Sequence, residues 1–536
     1  MPSNGSNEFL LAVDGGKMHT LMNLPWKMYT GTVQWQQRSA ARILRFWESF
    51  FLGAKSNVYY LNGLASYTTE FMTPYWTALH AFMSLEKEKI TTHGPTTDAL
   101  RDYAELFQFN LQIARTGYWS GLLAVNDYCA REYEKALTAL INTVFDREGH
   151  DFKDIRERRL RLIEMVNREY PQAIKSVESE FGFHFDDGGY IKVAETERFD
   201  LYQVLPRDKN VAVREKGKPI IIIPPYVLGP NILCFLPGEN KSYVHCFANQ
   251  GIPTYIRIIK DIDTTPAVQV MTGEDDCLDM KYFCERIKER HGRAVTLNGF
   301  CQGGLVAVMA LLSGELDGIV DAFITCVTPM DGTRSKALVE YLEHIPQRFR
   351  DLGYATKTLP NGNKVVDGKV MSWVYKLKSM EKEAPVFSFH RDLMIFDQPG
   401  ELKVNKTAAA LNCWLTQGRK DLPVGITDLS FKSYTIPVTP DGTLPVKLFG
   451  RELNFKRLKE MGIPWLICIA EDDDLVDKGA SLAALDFVDA EVTVFPKGHG
   501  SIATSWSLPT SECPLGGCFK GFRGPVCYQL ELDEKH

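Results

Sequence analysis

The chain lacks any surplus of basic side chains: 61 Lys and Arg stand against 67 Asp and Glu, a formal charge of −6. Nucleic-acid phosphates are held by clustered Lys and Arg, and neither such a cluster nor a base-stacking module is present, so nucleic acid is set aside as a partner. Long hydrophobic runs are missing too. The longest, around Ile220 to Val227 and Trp465 to Ala470, fall well short of the roughly 20 residues that span a bilayer and read as buried strands. The twelve cysteines form no short-range framework, and the opening MPSNGSNEFL lacks the basic-then-apolar order of a secretory signal. A reducing cytoplasm is therefore expected. No G-x-G-x-x-G turn sits between a strand and a helix and no P-loop occurs, so no nicotinamide, flavin, nucleotide or metal cofactor is expected.

What remains is the composition of a globular protein, 45% hydrophobic and 24% charged over 536 residues. That length exceeds what one core organises, which predicts two domains or one domain with an insertion. Residues 1–190 read as an all-helical N-terminal domain, since apolar residues recur three and four apart, as in Ile43, Leu44, Trp47, Phe50 and Phe51. The segment FGFHFDDGGY, Phe181 to Tyr190, breaks the pattern and marks the junction.

Over 191–536 the period changes. Phe199 to Leu205 alternates like an edge strand, and Ile220-Ile221-Ile222-Ile223 is a β-branched run suited to a strand covered on both faces. Further strands at Pro253 to Ile259, Ala294 to Leu297, Ala322 to Cys326, Trp465 to Ala470 and Glu491 to Phe495 alternate with helical stretches. This rhythm predicts an α/β fold with a mostly parallel, doubly wound sheet. Between about 331 and 453 the rhythm lapses into a lid-like insertion.

The strand at Ala294 runs into Asn298-Gly299-Phe300-Cys301-Gln302-Gly303-Gly304 and then the apolar helical sequence LVAVMALLSG. This is G-x-C-x-G between strand and helix, the nucleophile elbow of an α/β-hydrolase with Cys in place of Ser. Gly299 and Gly303 are needed because the sharp turn brings backbone segments together. A helix N-terminus favours an anion beside it, and the backbone N–H of Gln302 is placed to stabilise an oxyanion. Chance yields about 0.07 such motifs in a chain with 12 Cys and 41 Gly, before the flanking elements are required.

In this fold the acid follows a later strand and the histidine follows the last one. Here PWLICIA is followed by Glu471-Asp472-Asp473-Asp474, and EVTVF by Pro496-Lys497-Gly498-His499-Gly500. His499 would deprotonate Cys301, and an acid would orient the imidazole; Asp473 is a candidate, but four adjacent acids leave the choice ambiguous from composition alone. His245 and Cys246, adjacent in a predicted helix, read as packed and non-catalytic.

Together these residues resemble a poly(3-hydroxyalkanoate) synthase, a family that polymerises hydroxyacyl-CoA thioesters on a cysteine of the α/β-hydrolase fold. The resemblance runs from Phe199 through IIIIPPYVLGPNILCFLPGENKSYVHCFANQGIPTYI and LNGFCQGG to GIPWLICIAEDDDLV and Gly498-His499, about three-fifths of the chain. Matching DDLVD to the family's acid motif selects Asp473, and Cys301 and His499 match the nucleophile and base. The resemblance further implies a second oxyanion donor after Pro224-Pro225, assigned to the backbone N–H of Val227. It also implies a hydroxyacyl-CoA substrate, a polyester product or granule surface, and a homodimer. Ile259-Lys260-Asp261-Ile262 replaces the family's tryptophan-arginine-asparagine segment, Asp477 stands where proline is usual, and Trp414 is a loose equivalent of a lid tryptophan.

The chemistry suits the residue types, since transfer from CoA to Cys301 exchanges one thioester for another. Two other readings are a thioesterase, in which water attacks the acyl-cysteine, and a non-catalytic scaffold acting through the N-terminal helices. Cys513, Cys518 and Cys527 read as unligated thiols rather than a zinc site. The aromatic stripe Trp35, Phe46, Trp47, Phe50 and Phe51 reads as packed on the protein's own core.

Overall fold

The computed structural model describes residues 15–336, 352–372 and 384–534 apart from Pro95, Asp146 and Gly418, together with Val339; the expected insertion thus lies partly outside the described residues. Helices α1 (Gly15–His93), α2 (Thr97–Phe145) and α3 (Phe152–Glu164) come first. A capping box between Asp151 and Asp154 starts α3 by satisfying two otherwise orphaned N–H groups. The first strand begins at Tyr190.

Eight strands form the main sheet: β1 (Tyr190–Glu195), β2 (Phe199–Val204), β3 (Ile220–Ile223), β4 (Thr254–Ile259), β5 (Val295–Phe300), β6 (Val320–Cys326), β7 (Trp465–Ala470) and β8 (Glu491–Phe495). Their order is β1-β2-β4-β3-β5-β6-β7-β8. Only β2 runs antiparallel to its neighbours β1 and β4; every pairing from β4 onward is parallel. This strand order and direction are those expected of an α/β-hydrolase core.

Both faces of the sheet are covered. Ile221 and Ile223 join one core with the helices Gly273–His291 and Gln302–Ser313, while Ile220 and Ile222 join another with Phe235, Phe247 and the C-terminal helix Pro525–Glu534. That two-sided burial is why the β3 sequence is apolar at every position instead of alternating. β2, expected at an edge, is covered by β1, whose half-exposed residues carry no clear apolar alternation.

The aromatic stripe differs from expectation: Trp47, Phe50 and Phe51 are 55%, 63% and 68% exposed. The side chains of Trp35 and Phe46 lie outside the described residues. At 79 residues α1 is roughly 120 Å long. Its packed stretch lies further along, where Tyr59, Tyr60, Leu64 and Tyr67 meet α3 and the insertion helix Pro385–Phe396. Tyr60 contacts His390 Nε2 at 2.8 Å, the Tyr67 hydroxyl donates to Asp392 at 2.7 Å, and Asp397 pairs with Lys135 and Arg158. The insertion is therefore gripped by the N-terminal helices.

Beneath β3, a charged network is buried in the core. Arg257, on β4, pairs with Asp276 and lies 4.2 Å from the Phe199 ring centroid. The Tyr226 hydroxyl donates to Asp276 at 2.6 Å and accepts from Arg257 at 3.2 Å, fixing the loop after β3. Removing the carboxylate would strand a fully buried guanidinium. Asp276→Ala is expected to lower unfolding stability by about 3–5 kcal/mol, read from the urea midpoint, and a loss within experimental error would deny the network its structural role.

Candidate active site

The site gathers at the carboxyl ends of the central strands. β5 ends at Phe300, whose Cα partner on β6 is Cys326, and the Cys301 N–H donates to the Cys326 carbonyl at 2.8 Å. Cys301 itself has φ 51° and ψ −122°, a conformation that costs of order 1–3 kcal/mol and must be imposed by its surroundings. The imposing contacts are backbone ones. A Cβ on Gly303 would sit 2.2 Å from the Ile223 carbonyl oxygen, and one on Gly299 would sit 2.2 Å from the Gly304 Cα. Leu228, Val327 and Lys497 also carry positive φ, so strained non-glycine residues follow β3, β5, β6 and β8 at the same edge of the sheet.

Cys301 caps the helix Gln302–Ser313, which leaves the Gln302 N–H, in the first turn, without an intrahelical acceptor. Asp473 lies in the turn after β7. Its Oδ1 accepts from the N–H groups of Leu475 and Val476, both at 2.9 Å, and its Oδ2 accepts from His499 Nδ1 at 2.8 Å. Glu471, Asp472 and Asp474 are exposed while Asp473 is buried. Geometry thus separates four acids that composition leaves equivalent.

With Nδ1 spent on Asp473, His499 has Nε2 for the thiol. Burial alone would favour neutral imidazole. The Asp473 carboxylate and the Cys301 sulfur, by charge and by hydrogen bonding, outweigh it and raise His499 from 6.5 to about 10. Phe300 packs edge-on against the ring, with centroids 6.5 Å apart.

Cys301, His499, Asp473 and the Gln302 N–H therefore come together. The Val227 N–H reaches the same corner, but it donates to the Gln302 side-chain Oε1 at 3.2 Å. Trp414, on the insertion helix Lys406–Gln417, donates from Nε1 to the Leu228 carbonyl at 2.9 Å. Ser430, on the helix Val424–Thr435, accepts from Gln302 Nε2 at 2.6 Å and was not anticipated from sequence, for it sits where no periodic pattern points. Arg257 was missed as well, although an arginine inside the strand TYIRII is a legible sign of a buried partner.

His245 is buried against Ser242, and burial pushes it down to about 4. Cys513 is buried and Cys518 exposed, and no group of three or more metal-binding side chains occurs among the described residues. No described helix is long and apolar enough to cross a membrane. A cavity of about 580 Å³ between α2, α3 and Pro385–Phe396 is lined by Tyr128, Lys135 and Asp397 among others and shares no residue with this site.

No protein-family model matches the chain, and no curated protein matches it. Solved structures that it resembles include a carboxylesterase of Nitrososphaera gargenis, at 15% identity over 59% of this chain and 92% of that one, with a TM-score of 0.35. A carboxylesterase of Bacillus subtilis follows at 13% identity over 63% and 92%, TM-score 0.33. An α/β-hydrolase enzyme from a deep-sea metagenome library stands at 12% over 58% and 91%, TM-score 0.28. Likenesses at this level assign neither substrate nor reaction.

Between pH 6.5 and about 10 the folded His499 binds more proton than its unfolded counterpart. The resulting stabilisation is complete below 6.5 and is lost as pH rises through about 10. The difference in thermal midpoint between native protein and His499→Gln is expected to be largest near pH 6.5 and to shrink toward pH 10. A difference that stays constant across that window would mean the imidazole is not held cationic.

Proposed function

We propose that the chain is an acyltransferase that accepts 3-hydroxyacyl-CoA on Cys301 and elongates a polyester, as poly(3-hydroxyalkanoate) synthases do. The observation that carries this reading is a thiol at a strained strand-to-helix turn beside an imidazole bonded to a buried carboxylate. The Cys301 sulfur attacks the thioester carbon, the carbonyl oxygen gains charge facing the Gln302 N–H, and the CoA thiolate departs with a proton from His499. His499, now neutral, takes the proton of an incoming 3-hydroxyl, whose oxygen attacks the acyl-cysteine and frees the sulfur.

Sulfur fits this cycle better than oxygen. A serine ester would discard the energy of the CoA thioester before the new ester forms, whereas an acyl-cysteine retains it for the second transfer. The sequence resemblance supplies the substrate class. A homodimer or an attachment to polyester granules would have the exposed apolar faces of α1 and α2 available.

The deciding experiment is CoA release from 3-hydroxybutyryl-CoA and longer homologues, with the product examined for polymer and free acid. Polymer is expected. Free hydroxy acid alone would replace the synthase with a thioesterase of the same site, and no release by the native protein would overturn the acyl-transfer reading for these donors. Cys301→Ala is expected to abolish release with the fold intact, and His499→Ala to slow it by about 100-fold or more. Near-native rates in purified Cys301→Ala would remove the cysteine from the mechanism.

A further inference from the structure

The Gln302 side chain joins three elements at the nucleophile. It leaves the first turn of the elbow helix, its Oε1 accepts from the Val227 N–H at 3.2 Å in the loop after β3, and its Nε2 donates to Ser430 Oγ at 2.6 Å in the insertion. The residue is 7% exposed, so water does not compete freely for these bonds. One residue thus presents two different groups to the same corner: a backbone N–H at the start of the helix, without an intrahelical acceptor, and a side-chain oxygen that occupies the Val227 N–H.

The loop carrying Val227 does not need Gln302 to stay in place. Tyr226, one residue earlier, is fixed from below by Asp276 and Arg257, and Leu228, one residue later, is fixed from above by Trp414. With both neighbours anchored, the bond to Gln302 adds little to the loop's position. Its remaining consequence is to occupy the Val227 N–H.

Resting on the acyl-transfer reading, we propose that the Gln302 carboxamide is an internal stand-in for the substrate oxygen, latched by Ser430, which must yield the Val227 N–H as the oxyanion forms. The relative acceptor strengths make this selective. A thioester carbonyl is a poorer acceptor than an amide oxygen, so the amide keeps the donor in the ground state. An oxyanion is a far better one, since charge-assisted bonds are roughly twice as strong as neutral ones, so the exchange occurs in the transition state. The bond to be broken is a neutral one, and its removal is worth about three- to tenfold in rate. Gln302 is on this reading a positioning residue through its side chain, separate from the role of its backbone N–H, which every substitution other than proline retains.

The test uses p-nitrophenyl acetate, an activated acyl donor indifferent to the natural substrate. Acetyl transfer to the Cys301 sulfur expels p-nitrophenolate, and the first turnover is read as a burst in stopped flow. Gln302→Met keeps length and burial without an amide, and its burst rate is expected to rise about three- to tenfold, with Ser430→Ala moving in the same direction by less. Gln302→Glu places a carboxylate on the same donor and is expected to slow the burst below native. Opposite signs for Met and Glu at matched melting temperatures are not produced by a purely structural residue. A Gln302→Met burst equal to or slower than native, with an unchanged melt, overturns the proposal while leaving the acyl-transfer reading intact. A native protein without a burst that depends on Cys301 overturns that reading, and this proposal with it.

Discussion

Between Phe300 and Gln302 the chain turns from the centre of a parallel sheet into a helix within a single residue, and the turn exists because two backbones touch. The helix that follows Cys301 lies so close to the end of β3 that Gly303 faces the Ile223 carbonyl with no room for a Cβ, and Gly299 faces Gly304 in the same way. These are contacts between groups that cannot rotate away. They hold Cys301 in a conformation that an isolated peptide would not keep, and leave the residue only partly buried at the carboxyl edge of the sheet. The register of β3 with β5, Ile223 opposite Gly299, is what brings the partners of this crossing level.

From that point the remaining groups have few places to go. Asp473 and His499 lie beyond β7 and β8, which extend the sheet in parallel from β6, so the loops that carry them end at the same edge as the elbow. Asp473 is held by two backbone N–H groups on one oxygen and gives the other to His499. A carboxylate fixed in this way does not rotate to follow the imidazole; the imidazole is oriented by it. The raised affinity of His499 for its proton is the electrostatic counterpart of that geometry, since the two acceptors beside the ring outweigh the cost of burial.

Much of this was legible in the sequence, for physical reasons that also define where legibility stopped. β3 and β7 are buried on both faces and apolar throughout, so their positions stand out. The elbow is legible because its geometry admits glycine alone at two positions. Asp473 was reached by resemblance; the four acids differ in burial and bonding, which composition does not record. β1 was missed because half its residues face solvent without alternation. The stripe on α1 was read correctly as an apolar face and wrongly as a covered one, because periodicity reports which residues share a face and says nothing about what lies opposite. Ser430 and Trp414, which bond Gln302 and Leu228, lie in the insertion, more than a hundred residues away along the chain, and no local pattern joins such positions.

Those long-range partners give the helical N-terminal region a physical connection to the chemistry. α1, α2 and α3 supply most of the core around the insertion helix Pro385–Phe396, through Tyr60, Tyr67, Tyr128 and Leu162. The chain then continues into Lys406–Gln417, where Trp414 holds Leu228, and into Val424–Thr435, where Ser430 holds Gln302. Both bonds meet the loop and the elbow from the insertion side, and the insertion takes its position from the helices that grip it. A displacement of Pro385–Phe396 against α1 would have to be absorbed by breaking the buried contacts of His390 and Asp392 or passed along to Trp414. Close-packed interiors favour the second course, since deforming them costs more than moving one packed body against another. The region that looked most separate in the sequence is thus the one against which the corner formed by Gln302 and the Val227 loop is braced.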